Sequence, residues 1–210
     1  MKQAAKIASE LLRIEAVRLR PDDPFTWASG IKSPIYTDNR VALAYPSVRD
    51  LIRDGLADLC AQYGKVDAVV GVATAGIPHA ALVGDKLSLP MAYVRSSAKS
   101  HGRQNRIEGR LAKGDRVIVI EDLISTGGSS LEAVEALREA GVEVIATLAI
   151  FTYGFDAASA RFAEAKCPLQ TLSDYPTLIE VAKQNGSVTD AQLATLSEWR
   201  TSTSSLLANR

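Results

Sequence analysis

Ile7, Leu11, Ile14 and Val17 recur at steps of three or four, with Lys6, Glu10, Arg13 and Arg18 between them. That spacing places the four on one face of an opening amphipathic helix, which Pro21 stops because proline lacks an amide donor. From 24 to 45 the pattern changes to aromatics, Gly30, Pro34 and short apolar pieces. Ser33 precedes a proline and is biased away from helix, so this stretch reads as extended segments and turns forming a small hood. A second helix starts at Ser47, with Val48, Leu51, Ile52, Leu56, Leu59 and Cys60 on its apolar face and Asp50 near its positive end.

The chain then alternates: strand 66–71, helix 77–87, strand 91–94, strand 117–120, helix 131–140, strand 144–151. Strands separated by helices are βαβ grammar. Residues 117–120 are all β-branched with no polar alternation, which requires cover on both faces of that strand. The expected fold class is therefore α/β, a doubly wound, mainly parallel central sheet flanked by helices. Residues 155–210 read as further helices, with Thr189 and Gln192 at capping-box spacing before Leu193, Leu196 and Trp199. The reading is one domain over 1–210: N-terminal helix and hood (1–45), α/β core (46–154) and a helical C-terminal part (155–210).

Composition narrows the class of ligand. Apolar residues at 47% suffice to bury a core without metal or disulfide help. Lys plus Arg and Asp plus Glu tie at 24 each, so no global positive field gathers nucleic acid or an anionic membrane, and an anionic ligand needs a local site. The two cysteines, Cys60 and Cys167, have no paired spacing, which suits a reducing cytoplasm. The first twenty residues intersperse charges among apolar positions, unlike a secretory signal, and no apolar run reaches membrane-spanning length. A cytoplasmic protein with neither nucleic-acid nor membrane partner is expected.

The most informative stretch is 117–130: a buried strand, Glu121 and Asp122, Leu123 and Ile124, then Ser125, Thr126, Gly127, Gly128 and Ser129 opening a helix. Strand carboxyl ends in such sheets face the ligand crevice, so the acids can accept hydrogen bonds from vicinal sugar hydroxyls. The glycines let backbone amides and the positive helix end approach a phosphate dianion. A glycine turn alone would read as an ordinary strand-to-helix turn with solvated acids, but the full order of acidic, apolar, hydroxyl and glycine residues favours a sugar phosphate. A P-loop is excluded, because Gly71 and Gly76 are followed by Ile77 and Pro78, and no G-x-G-x-x-G follows a strand.

Residues 118–129 resemble the phosphoribosyl diphosphate motif of the type I phosphoribosyltransferases. Residues 25–40, including Lys32, Tyr36 and Arg40, resemble the N-terminal signature of the orotate phosphoribosyltransferases. Residues 95–102 resemble that family's mobile catalytic loop, and 171–175 its C-terminal region. The resemblance implies the type I phosphoribosyltransferase fold and transfer of ribose 5-phosphate from phosphoribosyl diphosphate to N1 of orotate, a step of pyrimidine synthesis. It further implies Mg²⁺ carried by the diphosphate with no metal site built from protein ligands, and a homodimer whose loop completes the neighbouring active site.

Carried over by position, Lys99 and Asp122 are the catalytic residues. Phosphoribosyl diphosphate falls to Arg95, Lys99, His101, Glu121, Asp122, Leu123, Ile124, Ser125, Thr126, Gly127, Gly128 and Ser129. Orotate falls to Ser125, Lys32, Tyr36 and Arg40, although Tyr36 alone reads as a half-buried strand aromatic and Arg40 alone as a surface charge. His79 reads as a packing or capping residue. Ala28, Thr74, Ala75, Ser96 and Tyr153 stand where one well-known branch has Lys, Tyr, Lys, Lys and Arg, which implies another branch with fewer cationic contacts. Two competing readings are a sugar-phosphate-sensing regulator that binds nucleic acid and an enzyme with a purine acceptor. The neutral charge weighs against the first and the hood against the second.

Overall fold

The computed structural model describes residues 2–27, 30–95 and 106–208. The elements in chain order are α1 (Gln3–Arg13), β1 (Val17–Leu19), β2 (Phe25–Thr26), β3 (Lys32–Ser33), β4 (Ile35–Thr37), a 3₁₀ helix (Asn39–Ala44) and α2 (Pro46–Ala61). The core follows with β5 (Ala68–Val72), α3 (Gly76–Leu87), β6 (Met91–Val94), β7 (Ile107–Glu108), β8 (Arg116–Ile124), α4 (Gly128–Glu139) and β9 (Glu143–Thr152). The chain closes with α5 (Asp156–Glu164), β10 (Leu169–Asp174), α6 (Tyr175–Gln184) and α7 (Asp190–Ala208).

Six strands form one sheet in the order β10-β9-β8-β5-β6-β7, all parallel except β7, which runs antiparallel to β6. Ile118 and Ile120 join Val69, Leu148 and Ile150 in the cluster that holds the buried faces of α1, α2 and α3. Val117 and Val119 join Val70 and Ala149 in the opposite cluster, with Ala133, Val134 and Leu137 of α4 and Phe162 of α5. The doubly wound α/β expectation holds. Full burial stabilises by roughly 1.5–3 kcal/mol per Val or Ile, which makes this two-sided strand the backbone of the core.

Three elements depart from the sequence reading. α1 ends at Arg13, well before Pro21, because Glu15 takes a left-handed φ of 58° and Val17 enters β1 opposite Thr37 of β4. Val17 is still buried beside Ile7, Leu11 and Ile14, so its periodicity reported burial and not helix. β8 runs on to Ile124, since Glu121, Leu123 and Ile124 pair with Ala149, Phe151 and Thr152 of β9. The tail is not wholly helical: Leu169–Asp174 is a parallel edge strand on β9, half-buried over its first three residues and without alternation.

β5 leads toward β6 on one side of the sheet, and β8 leads toward β9 and β10 on the other. The order reverses between β5 and β8, and ligand crevices in open α/β sheets form outside strand carboxyl ends at that reversal. The hood, made of the ribbons β1-β4 and β2-β3 and the 3₁₀ helix, is bonded to residues at these ends.

Candidate active site

Glu121 sits within β8, buried, with both carboxylate oxygens engaged. One accepts the Asp122 amide at 3.0 Å, and the other accepts the buried Ser130 hydroxyl of α4 at 3.0 Å. Asp122 is half-buried, and its carbonyl accepts the side-chain amide of the fully buried Asn39 at 2.7 Å. Burial, followed by the neighbouring Asp122 charge, pushes the Glu121 carboxyl up to about 8. Burial raises Asp122 as well, opposed by the Arg40 charge among other contacts. Two adjacent acids in a poorly solvated crevice do not readily both ionise, so a proton is held there at neutral pH.

The turn after β8 is built for close backbone approach. Gly127 has φ 79°, a conformation that L side chains rarely adopt, and a Cβ there would lie 2.7 Å from a Phe162 ring carbon. Gly127 is the N-cap of α4, whose first helical bond runs from the Leu131 amide to the Gly127 carbonyl at 3.0 Å. The amides of Gly128, Ser129 and Ser130 therefore precede the helical ladder, at the positive end of a helix. Ser125 and Thr126 are half-buried and Ser129 is exposed. Ile124 is fully buried and Leu123 packs on the core, so these two belong to the site through their backbone.

The sequence reading used 71–76 to exclude a P-loop and to mark Thr74 and Ala75 as departures, yet this turn forms the facing wall. A Cβ on Gly76 would come within 2.4 Å of the Ile120 carbonyl, so the turn after β5 lies directly against β8 next to Glu121. The peptide between Ala73 and Thr74 is cis. Arg95, at the end of β6, lines a small cavity with Ala73, Ser129 and Glu132. The Arg95 amide donates to the Arg106 carbonyl at 2.9 Å, and Arg106 Nε donates back to the Arg95 carbonyl at 3.0 Å. Lys99, His101 and Ser96, like Ala28 in the hood, lie outside the described residues.

On the hood, Arg40 makes a two-armed contact with Asp38 at 2.7 and 3.0 Å, and its charge reaches Asp122. Tyr36 is 37% exposed, with the Arg18 guanidinium 5.0 Å from its ring centre and Phe25 5.7 Å away. Lys32 points elsewhere: its ammonium donates to Thr26 at 2.7 Å, and it lines a cleft of about 400 Å³ along α7. Asn39, Arg18 and Tyr153 were not singled out as hood contacts from sequence. The Tyr153 hydroxyl donates to Thr37 at 3.1 Å, and burial pushes that phenol up to about 12. His79 is buried with neither ring nitrogen hydrogen-bonded, and burial lowers it to about 4, which makes it a neutral packing residue.

Acids emerging beside an amide-lined turn at the sheet's reversal define a protein that holds a phosphorylated sugar, and the family model described as "Phosphoribosyl transferase domain" matches residues 43–185. The chain belongs to the phosphoribosyltransferases. It is 64% identical over 198 residues to the orotate phosphoribosyltransferase of Staphylococcus saprophyticus, covering 94% of this chain and 98% of that one. Its particular family is therefore that of the orotate phosphoribosyltransferases. The crystal structure of orotate phosphoribosyltransferase from Aeropyrum pernix superposes with a TM-score of 0.76 at 32% identity, over 87% of this chain and 99% of that one. UMP synthase of Leishmania donovani gives a TM-score of 0.80 at 27% identity over 95% of this chain, which spans only 42% of that longer protein.

Proposed function

We propose that this protein is an orotate phosphoribosyltransferase, which joins N1 of orotate to C1 of phosphoribosyl diphosphate, forming orotidine 5′-phosphate and releasing diphosphate in pyrimidine synthesis. The observation that carries the reading is the Glu121–Asp122 pair, fixed by Ser130 and Asn39, beside the amide-lined turn at Gly127. The bond from C1 to the diphosphate oxygen breaks with its electron pair leaving on oxygen, the N1 lone pair forms the new bond, and the N1 proton is given up to water or the departing diphosphate. Positive charge develops on the ribose ring and negative charge on the leaving group, so preorganised dipoles and exclusion of water lower the barrier.

Residues Ser125, Thr126, Gly127, Gly128 and Ser129 hold the 5-phosphate through amides and hydroxyls. Glu121 and Asp122 take the ribose hydroxyls, with Leu123 and Ile124 contributing backbone, and Asp122 stabilises the cationic ribose. Arg95, Lys99 and His101 serve the diphosphate, with Lys99 stabilising its departure. Tyr36 offers a stacking face, while Arg40 and Ser125 are assigned to orotate; Lys32, drawn to Thr26, is not.

Among the described residues no group of three or more His, Cys, Asp or Glu is placed to hold a metal ion. With both Glu121 oxygens engaged, Asp122 is the acid whose hard oxygens suit Mg²⁺ and its waters. We assign Mg²⁺ to the diphosphate, where, when bound, it would offset the diphosphate charge, with Asp122 as the acid that could meet it. We further assign a homodimer in which the loop 95–102 serves the neighbouring site, and a cytoplasmic location. No helix of the described residues is long and apolar enough to cross a membrane.

The test is orotidine 5′-phosphate formation from orotate, phosphoribosyl diphosphate and Mg²⁺, with uracil and adenine as competing acceptors. Folded protein that turns over neither orotate nor either competitor refutes the reading; preference for adenine moves it to the purine class. Mixing Lys99→Ala and Asp122→Asn subunits tests the shared site, because only a loop acting across the interface restores part of the activity.

A further inference from the structure

We propose that helix α7 is a strap that positions the base side of the active site, acting through the consecutive residues Trp199 and Arg200. This deepens the reading above and rests on the hood being the orotate cover. Arg200 Nε donates to the Tyr153 carbonyl at 3.0 Å, and its Nη2 donates to the Gly154 carbonyl. These carbonyls lie just past the end of β9, where pairing has run out and Gly154 turns at φ 66°. A rigid planar donor that caps two successive carbonyls fixes the direction in which the chain leaves the sheet.

Trp199 works toward the hood. Its indole N–H donates to the Lys32 carbonyl at 2.9 Å, and its ring meets Trp27 edge-on with centres 5.7 Å apart. Tyr153 closes the circuit, since its ring centre lies 5.2 Å from Trp27 and its hydroxyl bonds Thr37. Adjacent residues on a helix project about 100° apart, so α7 can grip the hood with one and the sheet with the next. A further tether, Asn39 to the Asp122 carbonyl, lies beside the acids on the sugar side. Loosening α7 therefore frees the base side first. The strap also lies beyond residue 185, where the match to the general family model ends. Neither residue is assigned to a reacting atom, and both are positioning residues.

The experiment compares Trp199→Phe, Arg200→Gln and Arg200→Lys with wild type in steady-state kinetics and in backbone hydrogen exchange. Trp199→Phe keeps a ring and deletes the donor, and should raise KM for orotate by about 3- to 10-fold, the loss expected for one hydrogen bond. Arg200→Gln should exceed that and Arg200→Lys should recover part of it, while KM for phosphoribosyl diphosphate stays within about twofold because the amide turn is untouched. Hood amides over 31–37 should exchange faster, with those of β5 and β8 unchanged.

Hood exchange at the wild-type rate in these variants, or the two KM values rising together, overturns the strap. Should Arg200→Gln not fold, Trp199→Phe carries the same test alone. Faster hood exchange in a protein whose wild type makes no orotidine 5′-phosphate refutes the enzyme reading and leaves the mechanical one supported.

Discussion

Gly127→Ala isolates the turn on which the phosphate site depends. Two costs add in the folded state. The residue must hold φ 79°, where an L side chain crowds the following carbonyl at about 1–2 kcal/mol. Its new methyl would also lie 2.7 Å from Phe162 Cε2, a contact real Cβ atoms essentially never show. Phe162 is itself buried between α4 and α5, with little room to swing away, so overpacking adds about 1–3 kcal/mol. For a chain of this size each kcal/mol is worth about 2–4 °C, which puts the expected loss at roughly 5–15 °C of melting temperature.

The same strain must act on function, because the only local relief is to rotate the turn and swing the Gly128 and Ser129 amides. A displacement of about 1 Å at a positioning group costs on the order of 100-fold in rate. Gly128→Ala is the internal control: its Cβ meets nothing within 4 Å and its φ is not left-handed, so alanine there should be neutral or stabilising by up to about 1 kcal/mol. Urea unfolding gives both stabilities, and KM for phosphoribosyl diphosphate gives the turn's function. Wild-type stability in Gly127→Ala, or an equal loss in Gly128→Ala, refutes the geometry argued for this turn.

Three further outcomes are expected. Gly76→Ala sets a methyl 2.4 Å from the Ile120 carbonyl, backbone against backbone, so the 73–75 turn must move and kcat/KM should fall on the order of 100-fold; unchanged kcat/KM removes this turn from the site. Glu121 titrates near 8 in the fold against an ordinary 4.5, so the folded state binds the extra proton and that stability is lost as pH rises from about 4.5 through 8; Glu121→Gln should flatten the fall in urea midpoint over that range. His79 titrates near 4 against 6.5, so its contribution is instead lost as pH falls from 6.5 through 4, and His79→Leu should weaken that acid limb while changing neutral-pH stability by no more than about 1 kcal/mol.

The parts legible in the sequence share a local signature. Strand β8 announced itself through four consecutive β-branched residues, because a strand covered on both faces needs no polar side. The Thr189–Gln192 capping box forms as spaced, with the Thr189 amide donating to Gln192 at 2.9 Å and the Gln192 amide to the Thr189 hydroxyl at 3.3 Å. Cys60 is buried, and desolvation pushes its thiol up to about 12, as suits a core residue. What stayed hidden depends on partners far along the chain. Asn39 finds Asp122 across 83 positions, Tyr153 finds Thr37 across 116, and Trp199 finds Lys32 across 167. Gly76 looks like a flexible turn residue until β8 is packed against it. Strand β10 stayed hidden for a related reason: pairing with β9 on one side alone imposes no periodicity strong enough to distinguish it from the helices around it.

The two sides of the crevice are therefore held by different physics. The sugar side is backbone: a left-handed glycine, helix-end amides, and a buried acid whose oxygens are already occupied by Ser130 and a neighbouring amide. Apart from the two acids, the damaging substitutions there are those that put a methyl into space the backbone fills, at Gly76 and Gly127. The base side is a set of long-range side-chain ties, so a single donor removed from Tyr153, Trp199 or Arg200 shifts the hood without disturbing the sheet. The Tyr153 phenol is spent on Thr37 of the hood. Discrimination among bases in this chain should then follow the fit of the hood more than the count of cations facing the ring, while tolerance on the sugar side should follow the glycine geometry and the two acids.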